Sequence, residues 1–216
     1  MARPKVYDEN LARQLITRAA AMLAAGGLDA LSLRPLATAA GTSTSAVYSM
    51  FGDKAGLVAA VVERARAGFL QAQRDSPVTG DPLADLTALG HAYRDWALAH
   101  PALYAVMFGG RARSGHREPP PGEPVLATSE LMDDETISVL AALVRTLVSG
   151  GLLHGDVPTI TMSIWAGVHG LVSLEIAGGW PVSGPAARTL YEEHLAAIGR
   201  GWQSPQSPHA AGAASG

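Results

Sequence analysis

Gly41 divides two short apolar segments, and the spacing on either side of it constrains the fold more than any other feature of the chain. Ser32 stands where a helix N-cap would, ahead of Leu33, Leu36 and Ala37, which make an apolar stripe over residues 33–39. Gly41 breaks that stripe, and a second short segment follows from Ser43 to about Met50. Two short helices split by a glycine-bearing turn are the helix-turn-helix signature, with the second helix placed to enter a DNA major groove. A longer helix precedes the pair. Leu11, Leu15, Ile16, Ala19 and Leu23 recur at helical spacing between Asn10 and Ala25, and Gly26-Gly27 ends the run.

Downstream, Asp53 is placed to cap a long helix that reaches about Arg74 through Leu57, Val58, Val61, Val62, Ala65 and Phe69. The stretch "DSPVTGDP" (75–82) is a turn, and Asp81 with Pro82 opens a helix ending near His100. Pro101 restarts the chain into "ALYAVMF". "GGRARSGHREPPPGEP" (109–124) has three consecutive prolines and no apolar period, which predicts a mobile loop. A helix from about Ser129 to Ser149 follows, with Glu130, Asp133, Asp134 and Glu135 in its first two turns, where the macrodipole favours acids. Residues 159–177 predict a strongly apolar helix buried on most sides, and a last helix runs from about Pro185 to Gly199. The tail 203–216 is low-complexity and is expected to be disordered. No strand-period stretch or internal repeat stands out, so the fold class is all-α: a three-helix helix-turn-helix head and a larger helical body.

At 216 residues and 48% hydrophobic content the chain is globular rather than disordered. It contains no Cys, which removes disulfides, thiolate metal sites and thiol nucleophiles and fits a reducing compartment. The N-terminal stretch lacks a long apolar region and no stretch near 20 residues is uniformly apolar, so the expectation is a soluble, cytoplasmic chain with no membrane partner. The net charge of −3 is unevenly spread. Residues 1–70 carry eight Lys/Arg against five acids, or +3, and residues 71–216 carry eight against fourteen, or −6. A small basic head thus sits on an acidic body, a pattern that chance alone can also produce.

The first helix together with "LSLRPLATAAGTSTSAVYSMFGDKAGLVAAVVE" (31–63) resembles the N-terminal DNA-binding domain of the TetR (tetracycline-repressor-like) transcriptional regulators. The likeness covers roughly residues 8–65 and runs in order through Leu33, Leu36, Ala37, Ala40, Gly41, Ser43, Val47, Tyr48, Phe51, Lys54 and Leu57. Later, "HPALYAVMF" (100–108) and "WAGVHGLVSLE" (165–175) look like a subgroup of these regulators whose C-terminal domain carries a Trp–His–Gly motif. One position departs from the pattern: Met50 precedes Phe51 where the family usually has an aromatic residue or His able to touch the DNA backbone. The resemblance implies a helix-turn-helix domain over 1–52, an effector-binding and dimerisation domain over 53–202, and a homodimer that pairs through its last two helices. It also implies a double-stranded DNA operator, a small-molecule effector of unknown identity, and a regulator that acts as a repressor.

The residues themselves support such a surface. A recognition helix needs small polar side chains at its N-terminal end so that it approaches the base edges, and Thr42, Ser43, Thr44 and Ser45 supply them. Ser43 can equally be an N-cap, which leaves Thr44, Ser45, Ala46 and Ser49 as the base-facing set, with Ala46 offering a methyl contact to thymine. Tyr48 either packs in the head or, as the resemblance implies, turns its hydroxyl to a phosphate. Lys54 lies at a helix N-terminus, which makes a phosphate seat, or is a solvated cation balanced by Asp53. Arg34 is a further backbone candidate, and Arg3 and Lys5 are either a DNA-contacting arm or a frayed terminus.

In the body, Tyr93, Trp96, Tyr104, Met107, Phe108, Met132, Met162 and Trp165 either line an effector pocket or are ordinary core. His169 is either a hydrogen-bonded core or interface residue or a polar contact to the effector. Gly167, Gly170, Ala166 and Ser173 permit close approach of a neighbouring backbone. The seven His show no metal-ligand spacing, and there is no phosphate-binding glycine loop or nucleophile elbow. No catalytic residue, metal or cofactor is therefore expected, and the chain reads as a non-enzyme. The rival reading is an all-α small-molecule binder or enzyme whose helix-turn-helix is structural.

Overall fold

The computed structural model describes residues 5–113 and 135–203. The expectations for Arg3, Met132, residues 114–124, the helix start at 129–134 and the tail 204–216 lie outside the described residues. Nine helices are described: α1 (Lys5–Ala30), α2 (Leu33–Ala39), α3 (Thr44–Phe51), α4 (Lys54–Arg74), α5 (Pro82–Ala99), α6 (Pro101–Arg113), α7 (Glu135–Ser149), α8 (Val157–Ile176) and α9 (Pro185–Trp202). They fall into two compact units. One takes in the described residues of Met1–Arg74 and Asp95–Val125, the other those of Asp75–Arg94 and Leu126–Gly216.

The first unit is built on the head. The helical run of α1 is broken at Gly26-Gly27, where Gly27 takes φ +68°, a left-handed value that glycine adopts without a side-chain clash. Leu15, Ala19 and Leu23 of α1, Leu36 and Ala37 of α2, Val47 of α3, and Leu57 and Val61 of α4 form one buried cluster. Helices as short as α2 and α3 are unstable alone, so this shared apolar cluster is what holds them. Ala102, Leu103 and Val106 of α6 pack against the same cluster. Their spacing puts them on one face of α6, and Tyr104 and Phe108 fall on the opposite face, where Phe108 meets Phe69 of α4 edge-on at 6.2 Å.

Two expectations change here. Ser32 has the extended backbone of an N-cap, but its side chain makes no cap hydrogen bond. The N3 residue whose N–H a capping Ser would accept is Pro35, which has none. Residues 109–113, expected to open a loop, continue α6 to Arg113, since a Gly-Gly pair lowers helix propensity without blocking a helix already anchored by its first turns.

In the second unit, α7 packs against α8, and α8 against α9. Ile137, Ala141, Val144 and Leu147 form the buried stripe of α7. Asp156 caps α8, accepting from the Thr159 N–H at 3.1 Å. The buried residues of α8 are Ile160, Thr161, Ile164, Val168 and Val172, and most of its other positions are half-buried, so the helix is covered on most sides with one side left open. Thr159, Ser163, Ala166 and Leu174 lie along the opposite side and are exposed. Fully buried Tyr191 of α9 donates from its hydroxyl to the Gly90 carbonyl of α5 at 2.6 Å. The helix runs three residues past Gly199 to Trp202, whose Nε1–H donates to Ser163 Oγ at 3.3 Å.

Candidate nucleic-acid interface

The surface of α3 follows from its two ends. Gly41, at φ +65°, turns the chain out of α2, and the Ser43 hydroxyl accepts from the Ala46 N–H at 3.1 Å, capping α3. Val47, at 1% exposure, and the partly buried Met50 and Phe51 pack into the head cluster. Met50 therefore points inward and serves as core at the position where the sequence departs from the family pattern. The outer face carries Ser45, Tyr48 and Ser49, all exposed, with Thr42, Thr44 and Ala46 half-buried beside them. Tyr48 is 53% exposed, which removes the option of a core role. Apart from that one ring the face is small and hydroxyl-bearing, a profile that lets a helix approach base edges closely.

Arg34 is exposed in the first turn of α2. Lys54 is exposed at the start of α4, but its ammonium is tied to the head, with Nζ donating to the Leu28 carbonyl at 2.7 Å, just beyond the break in α1. An ammonium has three donors, so this tie leaves two for a phosphate. Asp53 Oδ1 accepts from the Gly56 N–H at 2.7 Å and caps α4. Gly56 lies against the Phe51 carbonyl so closely that a side chain would collide with backbone, which fixes how α4 leaves α3.

The candidate effector residues divide between the units. In the first, Trp96 packs edge-on to Phe69 at 5.3 Å and stacks on His100 at 5.3 Å. Tyr104 lies 4.9 Å from Phe108, and Met107 is half-buried. In the second, the Tyr93 hydroxyl meets His169 Nδ1 at 2.9 Å, and the His169 ring stacks on Trp165 at 4.9 Å and 13°. Ser173 Oγ lies 3.5 Å from His169 Nε2, and Met162 is half-buried on the same helix. Burial holds the His169 pKa below its usual value, so near neutral pH the ring is uncharged. The two ring nitrogens thus face two hydroxyls, Nδ1 that of Tyr93 and Nε2 that of Ser173.

Residues 15–61 match the family described as bacterial regulatory proteins, tetR family, and residues 86–198, more than half of the chain, match the tetracyclin repressor-like C-terminal domain. The chain belongs to the TetR family. The HTH-type transcriptional regulator Rv1816 of Mycobacterium tuberculosis is 27% identical over 175 residues, covering 70% of this chain and 74% of that protein. The regulator Mb1846 of Mycobacterium bovis matches to the same extent. A solved protein of unknown function from Rhodococcus sp. RHA1 is 28% identical, with a TM-score of 0.64 over 90% of this chain and 96% of its own. The TetR family transcriptional regulator PfmR from Thermus thermophilus is 20% identical and shares the fold, with a TM-score of 0.65 over 87% and 97% of the two chains. This TetR-family chain is a DNA-binding transcriptional regulator with an N-terminal helix-turn-helix.

Three features of this TetR-family member escape the sequence reading. Arg94 of α5 makes a two-pronged ion pair with Glu175 of α8, at 2.8 Å from Nε and 2.6 Å from Nη2, and lies 5.4 Å over the Tyr191 ring. The visible signal was Glu175 itself, a lone acid near the end of a strongly apolar helix that needs a partner when buried. Gln73 continues the buried register of Leu57, Val61, Ala65 and Phe69 along α4, a polar residue where the pattern calls for an apolar one. The Lys54 tie to Leu28 spans 26 residues and left no local signal.

Proposed function

We propose that this regulator is a homodimeric repressor that binds a palindromic operator through residues 43–54 and releases it when a small molecule occupies the body. The observation that carries the reading is the outer face of α3, where small hydroxyl side chains surround exposed Tyr48 while Val47, Met50 and Phe51 anchor the helix from behind. On this reading Thr42, Thr44, Ser45, Ala46 and Ser49 read bases, and Tyr48, Lys54 and Arg34 hold phosphates, with Ser43 a cap that also sits at the groove edge. Residues 1–52 act as the DNA-binding domain and 53–202 as the effector-binding and dimerisation domain. The protein acts in the cytoplasm, where its operator is, and performs no catalysis.

One short recognition helix reads only a few base pairs, so two heads on half-sites about one helical turn or more apart supply the specificity. The exposed small-residue side of α8 supports pairing of α8 and α9 with their copies. Release follows from population shift: an effector held more tightly by the conformation with misplaced heads weakens DNA binding by that differential affinity. Helix α6 suits this task, because Tyr104 and Phe108 face the aromatic cluster and Ala102, Leu103 and Val106 face the head core. Fluorescence anisotropy against palindromes from the region beside its own gene tests the proposal. Tight, salt-sensitive binding over random DNA is expected, and binding equal to that of random DNA at moderate salt refutes it.

A further inference from the structure

We propose that Gln73 is the polar anchor of the effector site, and that it selects an uncharged, ring-bearing ligand carrying a carbonyl oxygen. The inference rests on the effector reading above and names the class of molecule involved. Gln73 is only 6% exposed, and its Nε2 has no hydrogen-bond partner. An amide buried without an acceptor costs stability that an apolar residue of the same shape would not. Its position sharpens the anomaly: Leu57, Val61, Ala65 and Phe69 precede it at steps of four on the buried side of α4, so Gln73 stands where the register supplies core.

One turn before Gln73, Phe69 is the centre of an aromatic group. Trp96 packs edge-on to it at 5.3 Å and 78°, and Phe108 at 6.2 Å and 82°. Tyr104 adjoins Phe108, which is half-buried and so accessible at the edge of the group. Apart from His100, which stacks on Trp96, none of these side chains is ionisable at neutral pH, so the group favours a neutral ligand with rings to pack against rings. A donor without an acceptor is satisfied by a carbonyl oxygen and not by a second donor. A hydrocarbon of the same outline fills the same space and leaves the amide unpaired, which is how such a site discriminates.

The test uses the full-length protein and three matched pairs: 9-fluorenone with fluorene, 1-tetralone with tetralin, and coumarin with naphthalene. Binding is followed by tryptophan fluorescence and by thermal shift. In the parent, at least one carbonyl compound is expected to bind about tenfold more tightly than its hydrocarbon partner. Gln73→Met is expected to erase that preference while raising the melting temperature of the ligand-free protein. Gln73→Leu serves the same comparison if the first variant does not fold. An undiminished carbonyl preference in the variants, no preference in the parent, or no binding by any carbonyl compound overturns the assignment. Operator release is read separately by anisotropy. Gln73-dependent binding without release supports the anchor and refutes the effector mechanism.

Discussion

At the scale of single residues, the polar groups of the body show how far a helix pattern can be read. Tyr93 and Trp96 fall on an apolar face in the sequence, and nothing local distinguishes a Tyr that packs from one that hydrogen-bonds His169, 76 residues away. The burial of His169 has a consequence for pH. His169 has its pKa lowered by burial alone, so the fold holds the ring neutral while the unfolded chain protonates it near the ordinary value of about 6.5. The unfolded state then binds more protons as the pH falls. The contribution of His169 is complete above the unfolded pKa and is lost as the pH falls through the lowered folded value. The melting temperature of the parent is therefore expected to fall between about pH 7 and pH 5 more steeply than that of His169→Gln, which cannot titrate there. Parallel curves for the two proteins would mean that other groups set the acid sensitivity.

At the scale of elements, the head was largely legible because its determinants are local. Gly26-Gly27, Gly41, Ser43, Asp53 and Asp81 all act within a few residues of themselves, and the break in α1, the end of α2 and the starts of α3, α4 and α5 follow from them. The exception, Ser32, fails as a side-chain cap because Pro35 withholds the N–H that a cap would accept. Helix α8 was legible as apolar but not as two-sided, since hydropathy does not record which partner covers which stripe. Gly167 and Gly170 show the difference. A side chain at Gly167 would meet Ile198 Cδ1 of α9 at 2.6 Å, so this glycine serves packing within the chain, whereas a side chain at Gly170 would meet nothing within 4 Å. Leu174, 54% exposed, continues the side on which Gly170 lies. Gly167→Leu is expected to destabilise the fold by about 1–3 kcal/mol through overpacking. Leu174→Glu is expected to leave the melting temperature of a protomer nearly unchanged while converting the dimer to monomer in light scattering. Losing the second head should weaken operator binding about a hundredfold or more. A Leu174→Glu protein that stays dimeric would move the proposed interface off this side of α8.

At the scale of the whole molecule, charge and the proposed two-headed binding must work together. A net −3 protein gains no general attraction to DNA, so its phosphate contacts have to be local to the +3 head. Lys54 is the residue whose role decides how local they are, because its ammonium already holds the Leu28 carbonyl at 2.7 Å. If the remaining donors reach a phosphate, each protomer neutralises one more charge through Lys54. The slope of log affinity against log salt is about 0.9 per neutralised phosphate, so Lys54→Ala in a dimer is expected to flatten it by about two units and to weaken every DNA sequence alike. Thr44→Ala, on the side of α3 proposed to face the bases, is expected to leave the slope unchanged and alter which bases are preferred. If Lys54 instead acts only as the tie between α4 and the last turn of α1, its loss lowers the melting temperature and leaves the slope where it was. Measuring affinity across salt concentrations on matched and mismatched operators, alongside the melting curves, separates these outcomes. A Lys54→Ala protein with parental slope and parental stability would contradict both roles.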